Sequence, residues 1–515
     1  MAVPLTGTQT DDQAPQLAFL ESGDAIGHVE RRVDTHGAHI FLTSDRAWKL
    51  KRAVRYDYFD FSTPALRHDA LEAELRLNRR TAPDLYRALH PIARRADGAL
   101  ALDGDGDPID WVLEMERFPD DALLDDVATH HRLSTALLIK LADRIGTLHA
   151  QAERDTGDGA QRMRDILDGN ARSFAGVAAV IPSEQAAALD RLQRAEVERL
   201  ATQLDSRAKG GRVRHGHGDL HLRNIALIDG APVLFDCLEF DAGLATVDVL
   251  YDLAFVLMDL WHRGLRIEAN IVANRYLDVS PQGATGYSLL PLFMSIRAAI
   301  RSHVTAAAAL ATGDAERISE ARDYCALAVE LLTPVPPRLV AVGGLSGTGK
   351  STLARQLGAW IGRAPGARVL RSDVFRKRLA GVSPETRLPP ASYTAASSDE
   401  TYEALFESAE DHLRCGTSVI LDAVFASRSE REVAQIIAER ERVPFHGIWL
   451  EAPEQERVAR VSSRKFDASD ASAQVVREQS RKSVGDVGGW LRLRANRPID
   501  IVAQAARAFL DRRRR

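Results

Sequence analysis

An apolar strand that runs straight into a glycine-rich loop and then a helix leaves a chain little freedom of fold, and residues 338–352 spell out that succession. Arg338-Leu339-Val340-Ala341-Val342 reads as a strand of the buried type, Gly344-Leu345-Ser346-Gly347-Thr348-Gly349-Lys350-Ser351 as the loop, and Thr352 as the start of the helix. Buried strands alternating with helices make parallel sheets, so this part of the chain is expected to be α/β with a parallel sheet. The loop has the pattern G-x-x-x-x-G-K-S. Gly344, Gly347 and Gly349 let backbone N–H groups wrap phosphates at a helix N-terminus, Lys350 neutralises the β/γ oxygens, and Ser351, with Thr352 beside it, offers an oxygen to Mg²⁺. A site for ATP and Mg²⁺ is the expectation.

Whether such a site hydrolyses ATP or transfers phosphate turns on its surroundings. Ser418-Val419-Ile420-Leu421-Asp422 is the candidate metal-side strand, with Asp422 as a second ligand, and Ala423 follows where a motor would need a water-activating glutamate. Val369-Leu370-Arg371 ends another strand at Ser372-Asp373-Val374-Phe375-Arg376, and strand ends in an α/β sheet present functional groups. Asp373 is the candidate base toward an acceptor hydroxyl, and Arg376 the candidate acceptor-binding cation. Arg457, Arg460 and Arg464, with Lys465, read as a lid over the transferring phosphate; a surface helix paired with Glu454 and Glu456 is the plainer alternative. Residues 381–398, rich in Pro, Ser, Thr and Ala, read as a mobile acceptor-side loop. Residues 338–510 resemble the small P-loop kinases: gluconate kinase, chloramphenicol phosphotransferase and zeta-toxin-like enzymes of the AAA type. The resemblance implies transfer of a γ-phosphoryl group to a small molecule.

Thr333-Pro334-Val335-Pro336-Pro337 cannot continue a helix and reads as a stiff connector, with a separate domain on its N-terminal side over residues 21–332. Its organising stretch is His215-Gly216-His217-Gly218-Asp219-Leu220-His221-Leu222-Arg223-Asn224. Two apolar runs follow, Ile225-Ala226-Leu227-Ile228 and Ala231-Pro232-Val233-Leu234-Phe235, joined by the hairpin signal Asp229-Gly230. In that register residue 224 faces residue 235, which brings Asn224 and Asp236 out side by side, with Asp219 just upstream. Phosphoryl transfer needs a carboxylate to accept the proton of the attacking hydroxyl and oxygen ligands for Mg²⁺. Asp219 suits the first role, Asn224 and Asp236 the second. A zinc cluster of His215, His217 and His221 lacks an evident fourth ligand.

The catalytic-loop and Phe235-Asp236 motifs resemble the aminoglycoside phosphotransferase family, relatives of protein kinases, over about residues 20–330. The resemblance implies Asp219 as base and Asn224 with Asp236 as Mg²⁺ ligands; the stretch after Asp236, Cys237-Leu238-Glu239-Phe240-Asp241, departs from it by lacking a glycine. It also implies a lysine on a strand, paired with a helix glutamate. Lys49 and Lys51 share a strand face and a helix over residues 66–80 offers Glu72 and Glu74; Lys51 with Glu74 is preferred. Residues 110–118 resemble the hinge strand. Asp252 is expected to brace the catalytic loop and is also a substrate-side candidate; Glu239, Asp241 and Asp259 read as acceptor-facing or as solvated helix charges, and Arg297 and Arg301, one turn apart, as meeting the acceptor or closing a salt bridge.

At 515 residues with 45% hydrophobic content, two or three globular domains are expected. The fold class is then an α+β, protein-kinase-like bilobal domain followed by an α/β P-loop domain over residues 338–515, with residues 1–20 disordered. A net charge of -5 without a basic, aromatic-interleaved stripe argues against nucleic acid as a partner. No apolar run of about 18 residues argues against a membrane. Three scattered cysteines fit a reducing cytoplasm. Small-molecule hydroxyl acceptors are the expected partners. The whole arrangement resembles a family of bacterial fusion proteins joining these two kinase types.

Overall fold

The computed structural model describes residues 8–9, 12–56, 59–463, 467–481 and 484–512. The chain forms two compact units, Met1–Asp259 with Met294–Val329, and Leu260–Phe293 with Glu330–Arg515. No helix among the described residues is long and apolar enough to cross a membrane.

In the first unit, six antiparallel strands lie in the order Arg31–Asp34, Ala38–Leu42, Arg46–Lys51, Asp107–Glu116, Tyr86–Arg94, Leu100–Leu102. Strand alternation divides their side chains between two apolar layers. Trp48 and Leu50 join Phe41, Ile92 and Val112 on one side, whereas Ala47 joins Leu42, Leu113 and Met115 on the other, against Leu71. Leu71 belongs to the helix Pro64–Asn78, which starts where Thr63 accepts the Leu66 N–H and Pro64 occupies the first turn. Alternation therefore puts Lys49 and Lys51 on the face that carries this helix.

The hinge-like stretch is the central strand Asp107–Glu116, and its Asp110 makes a fully buried two-pronged ion pair with Arg67, at 2.8 and 2.9 Å. Gln13 donates to the same carboxylate at 2.8 Å. This departs from the expectation of a disordered start over residues 1–20 in one part: Ala14–Glu21 is a helix, with Gln13 and Leu20 buried against the sheet, while residues 1–7, 10 and 11 lie outside the described residues. The rest of the unit is mostly helical, including Thr135–Gln151, Gly159–Ala175 and Ser183–Lys209, with short strands between the helices. The hairpin Ile225–Ile228 and Ala231–Leu234 pairs as expected, and positive φ at both Asp229 and Gly230 gives it the tight-turn geometry that matches strand twist.

The second unit holds five parallel strands in the order Arg368–Arg371, Val419–Asp422, Leu339–Gly343, Phe445–Glu451, Leu491–Arg494. Apolar clusters cover both faces, one around Leu405, Phe425 and Trp449, the other around Leu353, Leu357 and Val502. The helix Arg266–Val279 belongs to this unit and completes its edge. Asn274 Oδ1 accepts the Val369 N–H at 2.7 Å, and Asn270 donates to the carbonyls of Pro365 and Ala367, each at 3.0 Å. Two asparagines thus satisfy backbone groups that an edge strand leaves unpaired. Arg368 is buried beside them and pairs with Asp278 at 2.6 Å.

Candidate active sites

In the first unit the backbone register does what the sequence anticipates: Ile225 faces Leu234, and the Phe235 N–H donates to the Asn224 carbonyl at 3.0 Å. Asn224 is buried, and its Nδ2 donates to Asp219 Oδ2 at 3.0 Å and to the Asp219 carbonyl at 2.9 Å. The amide oxygen of Asn224 is thereby turned away from the Asp219 carboxylate. Asp236 adopts a left-handed backbone, φ 60°, and its N–H donates to Tyr86 Oη at 3.1 Å, while the Cys237 N–H donates to Asn78 at 2.9 Å. Neither Tyr86 nor Asn78 carries a sequence signal, because both reach the loop through tertiary packing alone.

Asp252 departs from the substrate-side placement but not from the bracing one. It is fully buried, and its oxygens accept the N–H groups of His217 at 2.8 Å and Gly218 at 2.9 Å, with His149 at 3.1 Å. It braces the catalytic loop and has no face left for an acceptor. Gly216 permits the approach, since a Cβ there would meet Asp252 Oδ2 at 2.5 Å. His217 lies 2.9 Å from the Phe235 carbonyl and His221 3.3 Å from Asp219, so two of the three loop histidines serve the carboxylate and the hairpin. Among the described residues no group of three His, Cys, Asp or Glu side chains is arranged to hold a metal ion by itself. Asn224 and Asp236 supply hard oxygen donors suited to Mg²⁺ carried in with phosphates.

Both strand lysines reach Glu74: Lys49 at 2.6 Å and Lys51 at 2.7 Å. Lys49 also reaches Asp236 at 2.8 Å, whereas Lys51 turns to Glu239 and lies over the Phe61 ring. Lys49 is therefore the cation beside the metal-side acid, and Lys51 the one behind it. Burial alone would raise the carboxyls of Asp219 and Asp236; His221, His217 and Arg301 hold the first below its ordinary range, and Lys49 and Lys51 the second. Both stay ionised near neutral pH.

In the second unit a cavity of about 1300 Å³ is lined by Gly347, Gly349, Lys350, Ser351 and Thr352 on one side and by Asp373, Arg376 and Asp422 on the other. The helix Lys350–Gly358 begins at Gly349, whose φ of 91° turns the loop into it. Gly347 is required for packing as well as conformation, since a Cβ would meet the Arg457 carbonyl at 2.6 Å. Gly344 sits at φ 142° against Leu450, and Lys350 Nζ donates to the Leu345 carbonyl at 3.3 Å. Asp422 ends its strand, buried, with Arg371 at 3.4 Å. Asp373 is half-buried at the head of the helix Ser372–Leu379, and none of the described residues donates a hydrogen bond to it. Burial raises its carboxyl above the ordinary value despite the pull of Arg371.

Of the lid arginines, Arg457 and Arg460 do not line this cavity. Arg457 is buried and donates to the Ala452 carbonyl at 3.2 Å and to Ser480 at 2.6 Å, so it fastens its own helix. Arg460 donates to the Ala495 carbonyl at 2.7 Å and pairs with Glu456 at 3.5 Å. Arg464 and Lys465 lie outside the described residues. The reason is packing: the Gly347 turn seats directly on Arg457, which pulls that helix behind the loop. Among the described residues, Asp467, Ser469, Asp470, Gln474 and Gln479 line the cavity, together with the cations Lys350, Arg355, Arg376 and Arg387.

Residues 40–287 match the sequence model of the phosphotransferase enzyme family, and residues 339–483 that of an AAA domain. An uncharacterized protein of Mycobacterium tuberculosis is 28% identical over 454 residues, which are 86% of this chain and 88% of that protein. Among solved structures, the GDP complex of an aminoglycoside 2'-phosphotransferase mutant is 13% identical and covers 62% of this chain and 97% of its own, with a TM-score of 0.39. A gluconokinase from Sinorhizobium meliloti is 18% identical, covers 35% of this chain and 94% of its own, and gives a TM-score of 0.26.

Proposed function

Because the chain carries a phosphotransferase-family domain over residues 40–287 followed by an AAA domain of the P-loop kind over residues 339–483, we propose that it is a bifunctional kinase. Each domain moves a γ-phosphoryl group from ATP to a hydroxyl of a small molecule such as a sugar or amino sugar. In the first domain Asp219 accepts the hydroxyl proton; the acceptor oxygen bonds to the γ-phosphorus as the bond to the bridging oxygen breaks, and ADP leaves with that oxygen. Lys49, oriented by Glu74, meets the phosphates, and Asn224 and Asp236 would hold Mg²⁺, whose bound form supplies charge neutralisation. In the second domain Asp373 takes the proton, Lys350 and the loop N–H groups hold the phosphates, and Ser351 with Asp422 would hold the metal.

The observation that carries this reading is the side-by-side emergence of Asn224 and Asp236 from one hairpin, with Asp219 hydrogen-bonded to the first of them at 3.0 Å. A second reading, in which the P-loop domain only binds nucleotide, draws on the burial of Arg457. The half-exposed Asp373 in the same cavity as Lys350 favours transfer. The test is to incubate the full chain with labelled ATP and a metabolite extract, in wild type and in Asp219→Asn and Asp373→Asn. Labelled products lost separately in the two variants support two kinases; a product pattern that neither variant alters removes the reading.

A further inference from the structure

The second cavity has acids in its lining, yet nearly all are engaged. Asp467 and Asp422 take Arg371, at 2.7 and 3.4 Å. Asp470 takes Lys377, the Tyr393 hydroxyl and the Leu388 N–H, the last at 3.0 Å. Glu430 caps its own helix by accepting the Ser427 N–H at 3.1 Å, and Glu478 accepts from Gln474 at 2.8 Å. Asp373 is left to act as base.

The cations on the acceptor side are in the opposite condition. Arg376 lies over the Tyr393 ring, 5.1 Å from its centre, and its hydrogen bonds go to Ser397 and Ser398, all neutral groups. Arg387 is exposed, lines the same cavity, and pairs with no carboxylate among the described residues. The two are held near each other by one carboxylate: Asp470 grips the backbone of Leu388, the neighbour of Arg387, and the hydroxyl of Tyr393, on whose ring Arg376 rests. Residues 386–393 are thereby tied to Lys377 on the helix that also carries Asp373, through Lys377 contacts to both Asp470 and the Thr386 carbonyl. Two guanidinium groups without counter-charge, facing a cavity that contains a phosphate loop and a free base, form a ready site for a second anion.

We infer that Arg387 and Arg376 form an anion subsite for the acceptor, so that the P-loop domain phosphorylates a hydroxyl compound that already carries a phosphate or carboxylate group. Asp470 is the positioning residue that holds the Arg387 loop over the site. The acceptor role rests on the kinase reading of this domain, whereas the subsite itself is tested by binding and not by turnover.

The experiment uses the full chain saturated with a non-hydrolysable ATP analogue and Mg²⁺, so that both nucleotide sites are filled, and titrates inorganic phosphate, acetate and glycerol by calorimetry. Phosphate or acetate is expected to bind at one site per chain, and glycerol not at all. Tighter phosphate identifies a phosphorylated acceptor, tighter acetate a carboxylated one. Arg387→Gln is expected to weaken that binding about tenfold or more, Arg387→Lys to restore part of it, and Asp470→Asn to weaken it with both arginines intact. Arg387 is exposed, so its variants fold; unchanged analogue affinity in each variant confirms this. Absence of anion binding, or equal binding in wild type and Arg387→Gln, overturns the inference. Anion binding that persists while no transfer depends on Asp373 would remove the kinase reading of this domain and leave the subsite standing.

Discussion

Lys49 and Lys51 pair with Glu74, Asp236 and Glu239, whereas Lys350 donates to the carbonyl of Leu345 inside its own loop. The first site is assembled by opposite charges from distant parts of the sequence, with a buried carboxylate, Asp252, fixing the loop that bears the base. The second is assembled by backbone geometry, with three glycines at positive φ around a single turn and functional groups at strand ends. The difference teaches where each site is fragile. Deleting one charge in the first leaves the remaining buried charges out of balance, so stability and chemistry fail together; deleting Lys350 in the second removes chemistry and leaves the fold.

The sharpest way to break that comparison is to remove each base. Asp219→Asn is expected to lower transfer by the first domain, and Asp373→Asn transfer by the second, each by a factor of about 10²–10⁴ with ATP affinity retained. Product formation is followed by label from ATP, and nucleotide affinity by calorimetry. Loss of both activities in either single variant would show that the sites are not separate.

Stability gives the next contrast. Glu74→Ala strips the shared partner from two buried lysines and is expected to cost the first unit about 3–5 kcal/mol, while Lys350→Ala costs the second less than about 0.5 kcal/mol. Urea unfolding of the full chain, resolved by domain, reads both. Equal losses would mean that charge pairing does not hold the first site together. A smaller effect, about 1–3 kcal/mol, is expected in the second unit for Asn274→Ala, which leaves the buried Val369 N–H without its acceptor. Hydrogen exchange at Val369 and its neighbours is the corresponding readout, and unchanged protection there would contradict the role given to this side chain.

A pH-dependent effect is shared by the two units. His303 in the first and His412 in the second are each pushed down by burial, to about 4. Between pH 6.5 and 4 the unfolded chain binds protons that these rings refuse in the fold, so stability falls as pH drops through that window and the loss is complete below about 4. Each histidine contributes on the order of 1–3 kcal/mol to the fall. His412→Gln is expected to flatten the acid limb of the second unit alone, measured by denaturant unfolding at pH 7 and 4.5; an acid limb unaltered by it would assign the loss to other groups.

The legible parts of this protein are those fixed by local covalent order. The Asp229-Gly230 turn sets the register that delivers Asn224 and Asp236, and the loop from Gly344 to Ser351 dictates a strand before it and a helix after it. Alternation along the strand Arg46–Lys51 puts two lysines on one face, but only the tertiary course of the chain after Asp236 shows that Lys49 meets that acid. The association of Arg266–Val279 with the second unit depends on asparagine contacts across more than ninety residues, which no periodicity reveals. The inward turn of Arg457 has the same origin, since a basic helix reads identically whether its arginines cover a phosphate or support a loop.

The most direct test of two separately built nucleotide sites is equilibrium titration of the full chain with a non-hydrolysable ATP analogue and Mg²⁺. Two bound nucleotides per chain are predicted for the wild type, with one remaining after Lys350→Ala and the other remaining after Lys49→Ala. A single bound nucleotide in the wild type, or loss of both sites in either variant, would contradict it.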